Sequence, residues 1–169
     1  MSLKIVFSLF AALALSACVL QSPEPNFEDQ LGQSLLGKLG GTYASFTLER
    51  DTWTPEKELL VFVAENRHYV IKSKGKPMNV LFVPISNQWW LAQFKEGNNE
   101  TGYVFANVQP DAIYFHPLTC DNLKFNGTAK TLVTFKKDDC ILAAGTPVSD
   151  FRSLIQAAGQ RSLKLVLMN

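Results

Sequence analysis

The chain predicts an α+β fold that is mostly β, an antiparallel sandwich or partly closed barrel with one N-terminal and one C-terminal helix. Three observations carry this. Between residues 42 and 143 short apolar segments rich in Val, Ile, Phe, Tyr and Trp recur at close spacing. Many alternate with period two, as half-buried strands do. The breaks between them are short and rich in Gly, Asn, Pro and Ser, which suits hairpins of an antiparallel meander.

The first segment stands outside this pattern. Lys4 is its only charge, and residues 5–15 are apolar except Ser8. A positive start, a short apolar run and small residues before a cut mark a secretory signal. A spanning helix needs about 20 apolar residues; here the run reaches Leu20 only by including Ser8, Ser16 and Cys18, and a polar, Pro-containing stretch follows. A membrane-spanning anchor and an ordinary signal cut after Ala17 are the other readings. Leu15-Ser16-Ala17-Cys18 sets leucine, two small residues and cysteine in succession. That tetrapeptide resembles the lipobox of bacterial lipoproteins with a type II signal peptide.

The resemblance implies that residues 1–17 are removed and that the Cys18 sulfur carries a diacylglycerol group, with a further acyl chain on its amine. Two or more chains anchor a protein stably where one does so only marginally. Val19 in place of an aspartate implies an outer-membrane address. The expected partner is thus a membrane, reached through the lipid anchor, with the protein facing the periplasm. Residues 18–25 are then a lipidated tether and residues 26–169 a single globular periplasmic domain. From residue 67 to Cys120 the chain also looks broadly like uncharacterised envelope lipoproteins, with paired aromatic strands and a cysteine after a Pro-containing loop. That likeness supplies no active site.

Removal of residues 1–17 leaves 152 residues, enough for one core. It also leaves 15 basic and 15 acidic side chains. A neutral balance argues against nucleic acid, which demands a basic excess. Lys72, Lys74 and Lys76 with Arg67 are the densest basic cluster, and read as a solvated hairpin. With Cys18 committed to lipid, Cys120 and Cys140 are an even pair in an exported protein and are expected to form a disulfide.

Asn26 caps the expected N-terminal helix, with Glu28 and Asp29 in its first turn. Phe27, Leu31, Leu35 and Leu39 repeat every four residues, and Gly40-Gly41 stops the run. Strands are expected at 42–49, 58–64, 68–74, 80–85, 89–95, 103–108, 112–116, 131–136 and 140–143. Pro84 places its strand at an edge or a bulge. Turns fall at Glu65-Asn66, Gly75-Lys76-Pro77, Ser86-Asn87, 96–102 and Asn126-Gly127. Thr146 and Pro147 open the C-terminal helix, with Phe151, Leu154, Ile155 and Ala158 on one face. Residues 162–168 alternate as a last strand.

Chemistry is sparse. The possible bases are His68 and His116; there is no Gly-x-Ser-x-Gly, phosphate-binding loop or His-Glu-x-x-His. No catalytic residue, metal site or cofactor is assigned, and Asp138-Asp139 lacks the spacing of a calcium loop. The aromatics are the better lead. Adjacent Trp89 and Trp90 must point to opposite faces of a strand. Tyr103 and Phe105 share one face of the next. These four form the candidate binding surface. The expected function is a non-catalytic envelope lipoprotein that binds an envelope protein or component through its sheet. The alternative is a carrier of a small ligand or lipid in an apolar cavity; a hydrolase using His116 or His68 is the third reading.

Closing the 21-residue Cys120–Cys140 loop contributes about 3 kcal/mol by chain entropy. Cys120→Ala is therefore expected to lower the melting temperature by several degrees while the mass at Cys18 stays that of the wild type. Calorimetry and mass spectrometry check the two halves separately.

Overall fold

The computed structural model describes residues 20–23, 25, 27, 39–65, 68–96, 100–136 and 139–168. The leader and Cys18 lie outside these, as does most of the expected N-terminal helix. Phe27, Leu39 and Gly40, the described residues of that stretch, are not helical.

Seven strands run as an antiparallel meander: β2 (Gly41–Glu49), β3 (Thr52–Glu65), β4 (His68–Lys72), β5 (Met78–Pro84), β6 (Trp89–Glu96), β7 (Glu100–Val108) and β8 (Ile113–Pro117). The last strand, β11 (Leu163–Leu167), inserts between β8 and β2 and pairs antiparallel with both. With β6 and β7 also paired, the eight strands close into a barrel. Closure removes the open edges that a sandwich would leave. A two-residue hairpin joins β2 to β3. Arg50 and Asp51, at φ 46° and 66°, form it, and their doubly positive φ matches strand twist.

The lumen is solid. Leu60, Phe62, Tyr69, Ile71, Phe82, Phe115 and Leu163 are among the side chains that fill it. The rings of Phe62 and Tyr69 are 6.2 Å apart, Tyr69 and Phe82 5.9 Å, Phe82 and Phe115 6.5 Å. An eight-stranded barrel is just wide enough to be filled by side chains. Leu39 plugs one end. Its N–H donates to the Tyr69 hydroxyl at 3.2 Å, and the Tyr43 hydroxyl donates to its carbonyl at 3.1 Å. Burial, then the neighbouring Tyr69, raises the Tyr43 pKa, so this donor stays protonated. Gly102 faces Phe94 across the β6–β7 pair. A Cβ there would lie 2.7 Å from the Phe94 ring, so the glycine is the space the ring occupies.

A second layer covers the outer face of β5, β6 and β7. It is built from β1 (Gln21–Ser22), three short helices α1 (Cys120–Lys124), α2 (Ala129–Leu132) and α3 (Val148–Leu154), and the pair β9 (Val133–Lys136) and β10 (Asp139–Leu142). Leu20, Leu81, Leu91, Tyr103, Phe105, Leu123, Phe151 and Leu154 pack in this outer core. Cys120 and Cys140 are joined as expected, tying α1 to β10. Arg152 donates from Nε and Nη2 to the Ile85 carbonyl and clamps α3 to the end of β5.

Several expectations change. Leu20–Ser22 do not belong to a free tether. The Leu20 N–H donates to the Leu118 carbonyl and its own carbonyl accepts from Tyr103, and β1 pairs with β7 and β10. It takes the side of β7 that β8 vacates beyond Pro117. Pro84 is not on an outer edge. β5 lies between β4 and β6, but the register with β4 stops at Val80, so the missing N–H of Pro84 faces no β4 partner. The strand expected from residue 131 starts at Val133 because Asn126 Oδ1 accepts from Thr128 and Ala129 N–H and opens α2 instead. The C-terminal helix begins at Val148 with Pro147 as cap; the Thr146 hydroxyl donates to the Ala143 carbonyl. β3 also extends back to Thr52, through Pro55, where it pairs with β2 alone.

Gly102→Ala is expected to overpack the lumen against Phe94 and destabilise the fold by about 1–3 kcal/mol. Gly75→Ala, at a turn where a Cβ meets nothing closer than 3.5 Å, serves as the control. Denaturant unfolding of the two variants measures the difference.

Candidate functional site

Parity along each strand decides which residues can meet a partner. On β6, Trp90 points to the lumen and packs against its core, while Trp89 points outward into the second layer. Both are half-buried. Tyr103 and Phe105 also point outward, but helix α3 and β1 lie over that face, and both side chains are fully buried. The Tyr103 hydroxyl meets Ser22 Oγ at 2.8 Å, and its ring lies 5.6 Å from Phe151. The four aromatics chosen from sequence therefore do not share a surface. Trp89, Tyr103 and Phe105 belong to one internal layer and Trp90 to the other. An even apolar run at residues 80–85 was the available signal, since a strand apolar on both faces is covered on both.

His116 is in the same outer layer. Its ring lies 4.9 Å from that of Trp89, and Nδ1 is 3.0 Å from the Gly159 carbonyl. A carbonyl only accepts, so Nδ1 carries the proton. Nε2 is buried and has no hydrogen-bond partner among the described residues. Burial pushes the His116 pKa below its ordinary value and the Arg161 cation adds to this, while the bond to Gly159 opposes both. The ring is thus held neutral and oriented by a backbone carbonyl rather than by a carboxylate. His68 lies elsewhere, half-buried at the start of β4, and the two histidines form no joint site. Among the described residues no group of three His, Cys, Asp or Glu side chains is placed to hold a metal ion.

Beside the outer layer a cleft of about 550 Å³ runs over β4 to β7, lined by His68, Asn79, Gln93, Lys95, Thr101 and Phe27 among others. Gln93 is not available to a ligand. Its amide accepts from the Phe27 N–H and donates to the Phe27 carbonyl, so it acts as one more backbone pair. Thr101 is 1% exposed and its hydroxyl has no partner among the described residues.

The open face lies on β3, β2 and β11. In cross-strand register, Leu59 sits beside Ala44 and Ala44 beside Val166. The next row runs from Val61 through Thr42 to Met168, whose N–H donates to the Thr42 carbonyl. Leu59 is 49% exposed, Val61 36% and Met168 52%. Further along this side, toward β8, cationic side chains cover the buried Tyr114 ring. Arg161 lies 4.4 Å over the Tyr114 ring, Lys164 lies 5.7 Å from it and 6.0 Å from Phe46, and Trp53 packs 6.0 Å from Tyr114. Sequence reading missed this surface because residues 59–64 are apolar without a break, the pattern of a strand covered on both faces.

No family model, no curated protein and no solved structure matches this chain.

Acidification tests the His116 environment. Its folded pKa lies below the unfolded value of 6.5, so the unfolded chain binds the extra proton first as pH falls. Stability from this residue is complete above pH 6.5 and is lost as pH drops from there toward the folded pKa. The wild-type melting temperature is expected to fall between pH 7 and pH 5 more steeply than that of His116→Gln. Thermal scans across that range compare the slopes.

Proposed function

We propose that this protein is a non-catalytic envelope lipoprotein, anchored through Cys18 and facing the periplasm, that binds a protein through the open face of β3, β2 and β11. The observation that carries the reading is the composition of that face. It places exposed Leu59, Val61 and Met168 on the same side as half-buried Trp53 and Lys164 and exposed Arg161, which pack over the buried Tyr114 ring. Apolar side chains bordered by Trp and Arg are the make-up of binding hot spots. The partner that complements it presents apolar side chains flanked by carboxylates. The filled lumen also favours a surface over a carrier's internal cavity. The lipobox residues support the anchor, and the disulfide fits an oxidising compartment.

A photo-crosslinking residue placed at Met168 in intact cells is expected to give a discrete adduct. Leu59→Thr with Val61→Thr is expected to remove it while changing stability by no more than about 0.5 kcal/mol per site, as at exposed positions. A crosslinker at Lys130, on the covered side, is the control. Equal adducts from positions 168 and 130, or an adduct untouched by the double substitution, would reject this face as the binding surface.

A further inference from the structure

The point at which the chain enters the fold fixes how an anchored molecule must lie. Leu20 is held on both backbone sides, to Leu118 and to Tyr103. Residues 18 and 19 span at most about 7 Å even when fully extended. A lipid on Cys18 therefore enters its bilayer within that reach of Leu20, from the layer formed by residues 118–158. The opposite side of the barrel is remote from it. Around the closed ring of eight strands, β3 is four strands from β7 in either direction, and β7 is the strand that holds Leu20.

The same layer carries the most exposed large apolar side chain among those described. Phe125 is 92% exposed, at the C-cap of α1. A five-residue helix is about 7.5 Å long, and α1 starts at Cys120, which the disulfide ties to β10 beside β1. Phe125 is therefore held by a rigid frame next to the entry point. Exposed Lys124, paired with Asp121 at 3.2 Å, precedes it in the chain, and exposed Lys130 lies in the next helix, α2. An aromatic tip with lysines before and after it in the chain suits the interface of an anionic bilayer. Resting on the anchoring of Cys18 proposed above, we infer that the outer layer lies on the bilayer with Phe125 inserted at the headgroup boundary, and that the β3–β2–β11 face points away from the membrane.

The test uses the full lipidated protein in vesicles of phosphatidylcholine and phosphatidylglycerol. Cys18 carrying lipid and the paired Cys120 and Cys140 leave an introduced cysteine as the free thiol. Phe125→Cys and Leu59→Cys, each labelled with an environment-sensitive fluorophore, are compared on addition of nitroxide-bearing lipid. The label at position 125 is expected to be quenched several-fold more than the label at 59. Equal quenching, or the reverse order, overturns the orientation. Intact mass is read on the same samples. An unacylated Cys18 overturns the anchor itself and with it the inference, which separates that failure from a wrong orientation on an anchored protein.

Discussion

The pairing of β11 with both β8 and β2 is the interaction on which the rest depends. It is antiparallel on both sides and joins segments far apart in the chain, Lys164 meeting Tyr114 on one side and Phe46 on the other. Without it the meander β2 to β8 is an open sheet with two long edges. With it the sheet closes, the lumen is sealed, and Phe62, Tyr69, Phe82 and Phe115 have somewhere to go. The cost is entropic, because a loop of this length must be ordered before the seam forms. The chain meets part of that cost with structure inside the loop. Residues 118–158 make the helices, the β9–β10 pair and the disulfide, and these in turn bury the outer face of β5, β6 and β7.

The molecule is thus two cores on either side of one shared wall. β5, β6 and β7 are apolar on both faces, with Phe82, Ala92 and Val104 turned to the lumen and Leu81, Leu91 and Phe105 turned to the outer layer. β2, β3 and β11 are apolar in the lumen, but Leu59 and Val61 on β3 and Met168 just past β11 turn outward into solvent. The asymmetry follows from the position of the inserted layer, which reaches one side of the barrel only. What is left uncovered is the outer face of β3, β2 and β11, with β3 four strands round the ring from β7, the strand that holds Leu20.

Much of this was legible in the residues. Most strands lie within a few residues of their expected places, because alternation and turn chemistry are local. The Cys120–Cys140 bridge followed from an even count. The open apolar face of β3, β2 and β11 was not legible. Trp89, Trp90, Tyr103 and Phe105 were chosen for their size and adjacency, and the fold buries Tyr103 and Phe105 beneath α3 and β1. Size marks a residue that must be covered or used, without saying which. Leu39 was read as the end of a helix, and it is the plug of the lumen, because the hydroxyls of Tyr43 and Tyr69 that hold it are supplied by two different strands.

The sequence alone determined the mostly-β class, the order of the strands in the meander, the disulfide and the two histidines as the scarce bases. Each rests on interactions between residues close in the chain, or on counting. Only the tertiary structure decided that the sheet closes, that Leu20–Ser22 join it, that His116 is neutral and buried against Trp89, and that Leu59 and Val61 face solvent. The physical reason is the two-residue period of a strand. It states which side chains share a face, but which face is inside depends on what packs against it, and that comes from elsewhere in the chain.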